Sequence, residues 1–312
     1  MENKILGIHH ITAIAGDAQS NFDFYSKVLG LRFIKKTVNF DDPKTYHFYF
    51  GDEKGSAGTI LTFFPWGEKV HQGKIGSGMA TEIGFSVPKG SLKFWRKRFE
   101  QYNVIFNNKS EKFGEKYLTF LDPDGLKIEF IESKTTDSRE GWETIEIKND
   151  VAIKGFHNVT LTLNNIKDTA YILTEIFGYK LIDTCVNRYR YEIDAVHNAA
   201  IVDLVELPSE KKGNVANGSV HHVAFRVLND DVLQFFREKI ASEGFDITSQ
   251  IDRQYFHSLY FREPGGVLLE IATDNPGFTV DESVDELGKN LKLPTQYEYR
   301  RNEIEAHLVK IN

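Results

Sequence analysis

Two histidine doublets open two similar stretches of this chain, Gly7-Ile-His-His-Ile-Thr-Ala13 and Ser219-Val-His-His-Val-Ala-Phe225. Ten histidines scattered through 312 residues would give about 0.3 adjacent pairs by chance. A neutral imidazole is a good ligand for a divalent transition metal. A third candidate ligand is the carboxylate of Glu270, set inside the apolar run Val267-Leu-Leu-Glu-Ile-Ala272. A carboxylate in such a run is costly unless it is paired or metal-bound. Two imidazoles and one carboxylate with open positions left over make the facial triad of non-haem Fe(II) oxygen chemistry.

Such ligands must be held on rigid strands, and the chain repeats the elements that could hold them. Four segments share one order: a strand, an amphipathic helix ending at Gly or an equivalent turn, then strands closing on an apolar run. They run from Gly7 to about Trp66, from about Met79 to Glu132, from Gly155 to about Leu207, and from Ser219 to about Thr273. In the first, Asp17 is placed to cap a helix with Phe22, Tyr25 and Leu29 inward before Gly30. In the second, Ser91 is placed to cap a helix burying Leu92, Trp95 and Phe99. Ala170, Leu173 and Phe177 are expected inward in the third, and Val232, Phe235 and Ile240 in the fourth. The spacing supports the alignment: His10 to Gly30 is 20 residues, Asn158 to Gly178 is 20, and His222 to Gly244 is 22. The turns Asp122-Pro-Asp-Gly125 and Glu263-Pro-Gly-Gly266 are tight reversals feeding the last strands.

This gives an α+β chain of four βαβββ modules. The expected organisation is residues 1–132 for modules one and two, a polar linker over 133–153, residues 154–273 for modules three and four, and a charged surface tail over 274–312. At the first-strand position of His10 the four modules carry His10, Glu82, Asn158 and His222. At the last-strand position of Glu270 they carry Thr62, Glu129, Asp203 and Glu270. Modules one and four together therefore supply His10, His222 and Glu270, with Thr62 in the fourth place. Fe(II) is the expected metal and Mn(II) its alternative. His157 aligns with His9 and His221, and a one-residue slip in a strand reverses the face. It reads as a structural or supporting histidine, while Glu82 and Glu129 read as a vestigial or surface pair.

Composition narrows the setting. The net charge is −7 with acids and bases interleaved, and 41% of residues are hydrophobic. Nucleic acid and anionic membranes are therefore not expected partners. The single cysteine, Cys185, cannot form an internal disulfide, which suits a reducing compartment. The N-terminus carries no basic and apolar leader, and no run approaches the ~18 apolar residues of a membrane span. A cytoplasmic protein, which could be a homo-oligomer, is expected.

The motifs His9-His-Ile-Thr, Asn21-Phe-Asp-Phe-Tyr-Ser-Lys-Val-Leu-Gly-Leu31 and Pro264-Gly-Gly-Val-Leu-Leu-Glu270 resemble those of the vicinal oxygen chelate superfamily. That superfamily includes glyoxalase I, bleomycin-resistance proteins and extradiol dioxygenases. Residues 5 to about 275 are similar to it. Longer stretches, Thr37–Phe50, Gly58–Pro65 and Val87–Trp95, most resemble a subgroup of hydroquinone ring-cleaving dioxygenases. The resemblance implies two open β-barrels, the metal-bearing one built from modules one and four. It also implies supporting roles for His9 and His221, and a place near the substrate for Arg253 and Tyr260. His257 lies in the same segment.

The expected activity is O₂-dependent cleavage of a hydroquinone-like or catechol-like aromatic ring beside a hydroxylated carbon. His221 or Tyr260 would carry protons, and Arg253 would balance a phenolate. The aromatic stretches Tyr46–Phe50 and Phe63–Trp66 are placed to wall an apolar pocket. Two rivals stand beside this reading. One is a glyoxalase-like isomerase or thiol transferase, which would need a fourth protein ligand. The other is a non-catalytic protein that sequesters an aromatic toxin.

Overall fold

The computed structural model describes residues 3–67 and 70–312. Each module contributes four strands. Module one supplies β1 (Ile8–Ala15), β2 (Arg32–Val38), β3 (Tyr46–Gly51) and β4 (Ile60–Pro65). Module two supplies β5 (Met79–Val87), β6 (Ser110–Lys112), β7 (Glu115–Leu121) and β8 (Lys127–Glu132). Module three supplies β9 (Gly155–Leu163), β10 (Lys180–Cys185), β11 (Arg188–Glu192) and β12 (Ile201–Glu206). Module four supplies β13 (Ser219–Val227), β14 (Ile251–Asp252), β15 (Phe256–Arg262) and β16 (Leu268–Pro276). The βαβββ order holds four times, and the fold is α+β.

The strands form two curled eight-stranded sheets. One has the order β14-β15-β16-β13-β1-β4-β3-β2, the other β10-β11-β12-β9-β5-β8-β7-β6. Module one thus pairs with module four, and module two with module three. At the centre of each sheet two first strands run antiparallel, β1 beside β13 and β5 beside β9. Each is flanked by the parallel last strand of its own module. One continuous apolar cluster, including Phe24, Phe63, Trp95, Phe120, Phe225 and Phe261, runs under both sheets.

The helices fill the outer faces, with local departures from simple periodicity. Asp17 caps α1 (Ala18–Asp23) by accepting from the Ser20 amide at 2.7 Å. That helix continues as a π-turn over Phe24–Val28. The extra residue in the turn rotates the inward face, so Phe24, Tyr25 and Leu29 are buried and Phe22 only half-buried. Helix α2 (Leu92–Gln101) buries Leu92, Trp95 and Phe99 as expected. Ser91 gives it no side-chain cap; the Glu132 carboxylate accepts from the Gly90 and Leu92 amides instead. Helix α3 (Lys167–Tyr171) also runs into a π-turn, Ile172–Ile176. Leu173 and Phe177 are buried there, and Ala170 is half-buried. In α4 (Asp230–Ser242) the buried row is Val232, Phe236 and Ile240, joined by Leu233. Phe235 points outward at 38% exposure, contrary to expectation, because the row advances four residues at a time.

The segment after module four is not a loose surface tail. It buries Phe278, Leu287, Leu293, Ile304 and Leu308 and ends in α5 (Arg301–His307). The linker is also tied down. Arg139 donates to the carbonyls of Gly58 and Phe156, and Ile147 and Ala152 are buried. No helix among the described residues is long and apolar enough to cross a membrane.

Candidate metal centre

The register of the first sheet places the candidate ligands. Successive strands align Tyr260 with Glu270, Glu270 with Ala224, and Ala224 with His10. The next row aligns His222 with Thr12, Thr12 with Thr62, and Thr62 with Tyr49. Paired residues on neighbouring strands face the same side, so both rows point into the concave face. Period-two alternation sends Ile11, Val223, Leu269 and Ile271 to the core behind them.

His10, His222 and Glu270 converge there, each offering one ligand atom within 4.8 Å of the others. The Nε2 atoms of His222 and His10 lie 2.9 and 3.2 Å from Glu270 Oε2. Close as these contacts are, they are poorly aimed, and neither Glu270 oxygen has a hydrogen-bond partner although the residue is fully buried. Burial pushes the Glu270 carboxyl up, but the facing His10 and His222 imidazoles together hold it well below the usual carboxylate range. Burial keeps the His222 imidazole below its ordinary value, against the pull of Glu270. A neutral imidazole beside an ionised carboxylate is the protonation state a divalent cation requires. The donor set and the orphaned carboxylate oxygens fit such an ion.

The other members of the doublets stand behind the candidate ligands. His9 Nδ1 lies 2.8 Å from His10 Nδ1, and His221 Nδ1 lies 2.7 Å from His222 Nδ1. In both pairs Nε2 of the inner histidine is left pointing at Glu270. The His9 ring also lies against the Thr273 backbone, and burial holds it well below its ordinary value. His221 instead faces the pocket beside Phe64, and burial, then His222, lowers it to about 3.

Over the triad lies a cavity of about 470 Å³. Its walls include Phe40, Phe64, Trp66, Ile251, Phe256 and Leu268, with Arg253, Tyr260, His47, Tyr49 and Asp41 as polar members. Of the two aromatic stretches expected as walls, alternation delivers His47, Tyr49, Phe64 and Trp66, while Phe48, Phe50 and Phe63 enter the core. Arg253 donates to Tyr260 Oη and to Asp41 Oδ2, each at 3.3 Å, and its guanidinium lies 5.2 Å from the Tyr260 ring centre. Burial, then the Glu270 charge, pushes the Tyr260 phenol up. His257 points away from the cavity and pairs with Asp230 at 2.6 Å.

Two residues were not singled out from the sequence. His47 Nε2 lies 2.9 Å from Thr62 Oγ1 and its Nδ1 2.9 Å from Tyr49 Oη. Thr62 Oγ1 lies in turn 2.8 Å from Thr12 Oγ1. The hydroxyl at the fourth position is thereby tied sideways into the sheet. Asp41 escaped because its role depends on a loop fold. For His47 the available signal was period-two alternation with Tyr49 on β3.

The second sheet repeats the arrangement with different chemistry. In register, Asn158 stands for His10, Glu82 for His222, Glu129 for Glu270 and Asp203 for Thr62. Contrary to a surface pair, Glu82 and Glu129 are buried. Lys112 contacts both, Lys127 and Arg188 pair with Glu82, and Arg190 pairs with Asp203 and Glu115. His157 bonds to Glu115 and Asn158 at 3.1 Å each. Basic side chains fill this barrel where a cation would otherwise balance the acids.

Comparison with known proteins agrees with the fold. The family model for the glyoxalase/bleomycin resistance protein/dioxygenase superfamily matches residues 7–130 and 155–271. MhqO of Bacillus subtilis (strain 168), named as a candidate ring-cleaving dioxygenase, is 45% identical over 309 residues, covering 99% of this chain and 97% of that one. A chlorohydroquinone/hydroquinone 1,2-dioxygenase of Sphingobium indicum is 35% identical, covering 97% and 96%. The crystal structure of a candidate dioxygenase from Bacillus subtilis superposes with a TM-score of 0.95 at 45% identity, over 99% of this chain and 98% of that one. The chain belongs to the glyoxalase/bleomycin resistance protein/dioxygenase superfamily.

Proposed function

We propose that this chain is a metal-dependent ring-cleaving dioxygenase of the extradiol type. Its substrate would be a hydroquinone-like or catechol-like aromatic, cleaved beside a hydroxylated carbon with O₂. The carrying observation is the convergence of His10, His222 and the hydrogen-bond-free Glu270 carboxylate under an apolar cavity. The names of the relatives at 45% and 35% identity support the same reaction class.

His10, His222 and Glu270 would hold the metal, Fe(II) or alternatively Mn(II). When bound, such a centre supplies redox access to O₂ and charge stabilisation for a phenolate. The chain's own residues do the rest. His10 and His222 keep the Nε2 lone pair free by donating from Nδ1 to His9 and His221. Phe64, Trp66, Phe256 and Leu268 would exclude water from the ring. Arg253 would face a phenolate with its positive charge. Tyr260 would donate its proton to an oxygen developing charge, and His221, accepting at Nδ1 and so protonated at Nε2, would present that N–H across the pocket as a second proton donor. A glyoxalase-like isomerase or thiol transferase is less well supported, because Thr62 sits where a fourth ligand would be and bonds to Thr12 and His47.

The test is anaerobic loading with Fe(II), then O₂ uptake with substituted hydroquinones and catechols. Stoichiometric uptake, with both atoms of labelled O₂ in a ring-opened product, is expected. Absence of metal binding, or of uptake with every diphenol, overturns the reading.

A further inference from the structure

The residues after module four have no counterpart in the repeat, yet they run along the metal-bearing sheet. Phe278 stacks on Tyr255 at 5.0 Å and meets the ring of Tyr49, a wall of the cavity, at 5.1 Å. The fully buried Lys35 of β2 pairs with Asp281 and Glu282. Leu291 forms a parallel bridge with Lys36, and the Lys292 amide donates to the Lys36 carbonyl at 2.9 Å. The segment thus covers the outer edge of β2. Beyond it, Leu293, Ile304 and Leu308 close over Val38.

The loop that follows β2, residues 39–45, supplies Asn39, Phe40 and Asp41 to the cavity. Most of its bonds are internal: the Asn39 amide to the Thr45 carbonyl, and the Asp42 side chain to Lys44 and Thr45. Besides the Arg253 guanidinium, which lies 5.9 Å from the Phe40 ring centre, two polar contacts tie it to other elements. One is the Asp41–Arg253 pair, whose carboxylate side is 78% exposed. The other is the Tyr297 hydroxyl, which donates to the Phe40 carbonyl at 2.8 Å. An exposed ion pair contributes little, so the Tyr297 bond is the firmer anchor.

We propose that Tyr297 is a positioning residue for the substrate pocket. It touches no substrate. Its hydroxyl fixes the backbone at Phe40, and with it the Phe40 ring and the Asp41 carboxylate that steadies Arg253. This inference rests on the reading of the cavity as an aromatic-substrate site.

The test uses full-length, Fe(II)-loaded Tyr297→Phe, which keeps the ring in its apolar cluster and removes only the hydroxyl. Tyr299→Phe, at an 84% exposed position, is the control. Losing one neutral hydrogen bond predicts KM for a substituted hydroquinone to rise about five-fold. The turnover number and iron content should stay within about two-fold, as expected when only binding geometry changes. A second readout needs no substrate. Trypsin cleavage after the exposed Lys44, mapped by mass spectrometry, should quicken several-fold in Tyr297→Phe and stay unchanged in Tyr299→Phe. Unchanged cleavage after Lys44 overturns the proposal, as does unchanged KM in an active enzyme. If the wild-type protein consumes no O₂ with any diphenol, the functional reading fails while the cleavage readout still decides the anchoring of the loop.

Discussion

The imidazoles of His221 and His222 meet Nδ1 to Nδ1 at 2.7 Å with their rings nearly perpendicular, and His9 and His10 repeat the contact at 2.8 Å. The pairs differ in what lies behind them. His9 closes onto the Thr273 backbone, whereas His221 opens into the cavity. Removing His9 should therefore cost ligand orientation alone. His9→Phe is expected to weaken iron binding 10–100-fold, the usual effect of losing a partner behind a metal ligand, with turnover of the loaded enzyme largely kept. His221→Phe should weaken binding similarly and also lower turnover by about 10²-fold, the scale of a lost acid–base group. Chelator competition and turnover on metal-saturated protein measure the two effects. Equal losses of turnover in both variants would remove the proton-carrying role from His221.

The choice of modules is tested by two alanines at neighbouring alignment positions. His10→Ala should abolish stoichiometric metal binding. His157→Ala should keep it, because His157 belongs to the charged cluster around Glu115 and Arg190 in the other sheet. Its own cost should be stability, on the order of 1–3 kcal/mol for buried partners left unsatisfied. Metal analysis after loading and dialysis separates the cases. Metal lost from His157→Ala and kept in His10→Ala would move the metal site to the other sheet.

Lys112 bridges the buried Glu82 and Glu129 in the second barrel. Taking one partner from a buried pair leaves an uncompensated charge and typically costs 3–5 kcal/mol. Lys112→Met should therefore lower stability by about 3 kcal/mol, read by denaturant unfolding, and leave metal content and O₂ uptake intact. A variant as stable as wild type would mean that Lys127 and Arg188 suffice for both acids.

The triad was legible in the sequence because it rests on alignment of repeats, and a strand fixes which residues share a face. His10, His222 and Glu270 occupy matching rows, so counting along the chain was enough. His47 needed one further step, alternation with Tyr49 on β3, which places both in the cavity. The inward rows of α1 and α4 were shifted for local reasons: a π-turn adds a residue in α1, and in α4 the buried row is spaced by four. The segment after residue 273 reads as a surface tail in the sequence because its apolar residues are spread among charges. Leu293, Ile304 and Leu308 form a cluster only after the chain folds back on Val38. The acids of the second barrel misled for a related reason. Their neutralising bases, Lys112, Lys127 and Arg188, lie up to about a hundred residues away, and only tertiary structure brings them together.

Asp122 provides a pH-dependent prediction remote from the metal centre. It is buried in the Asp122-Pro-Asp-Gly125 turn, where it accepts from the Tyr25 hydroxyl at 2.9 Å and from the Asp124 and Leu126 amides. Burial, then the neighbouring Asp124 charge, pushes its carboxyl up to about 7 from an ordinary value of 3.8. The folded state therefore holds this proton more tightly than the unfolded chain. Its contribution to stability is complete below about pH 4 and is lost as pH rises through about 7. The full swing from this group is on the order of 4 kcal/mol. An amide at this position can still accept from the two backbone amides, and its NH₂ can donate to the Tyr25 oxygen. It has no charge to develop, so Asp122→Asn should lose less stability than wild type between pH 5 and pH 8. The expected gain is largest at pH 8 and vanishes toward pH 4. Paired denaturant curves across that range measure it. Parallel pH profiles for the two proteins would show that Asp122 does not titrate in this window.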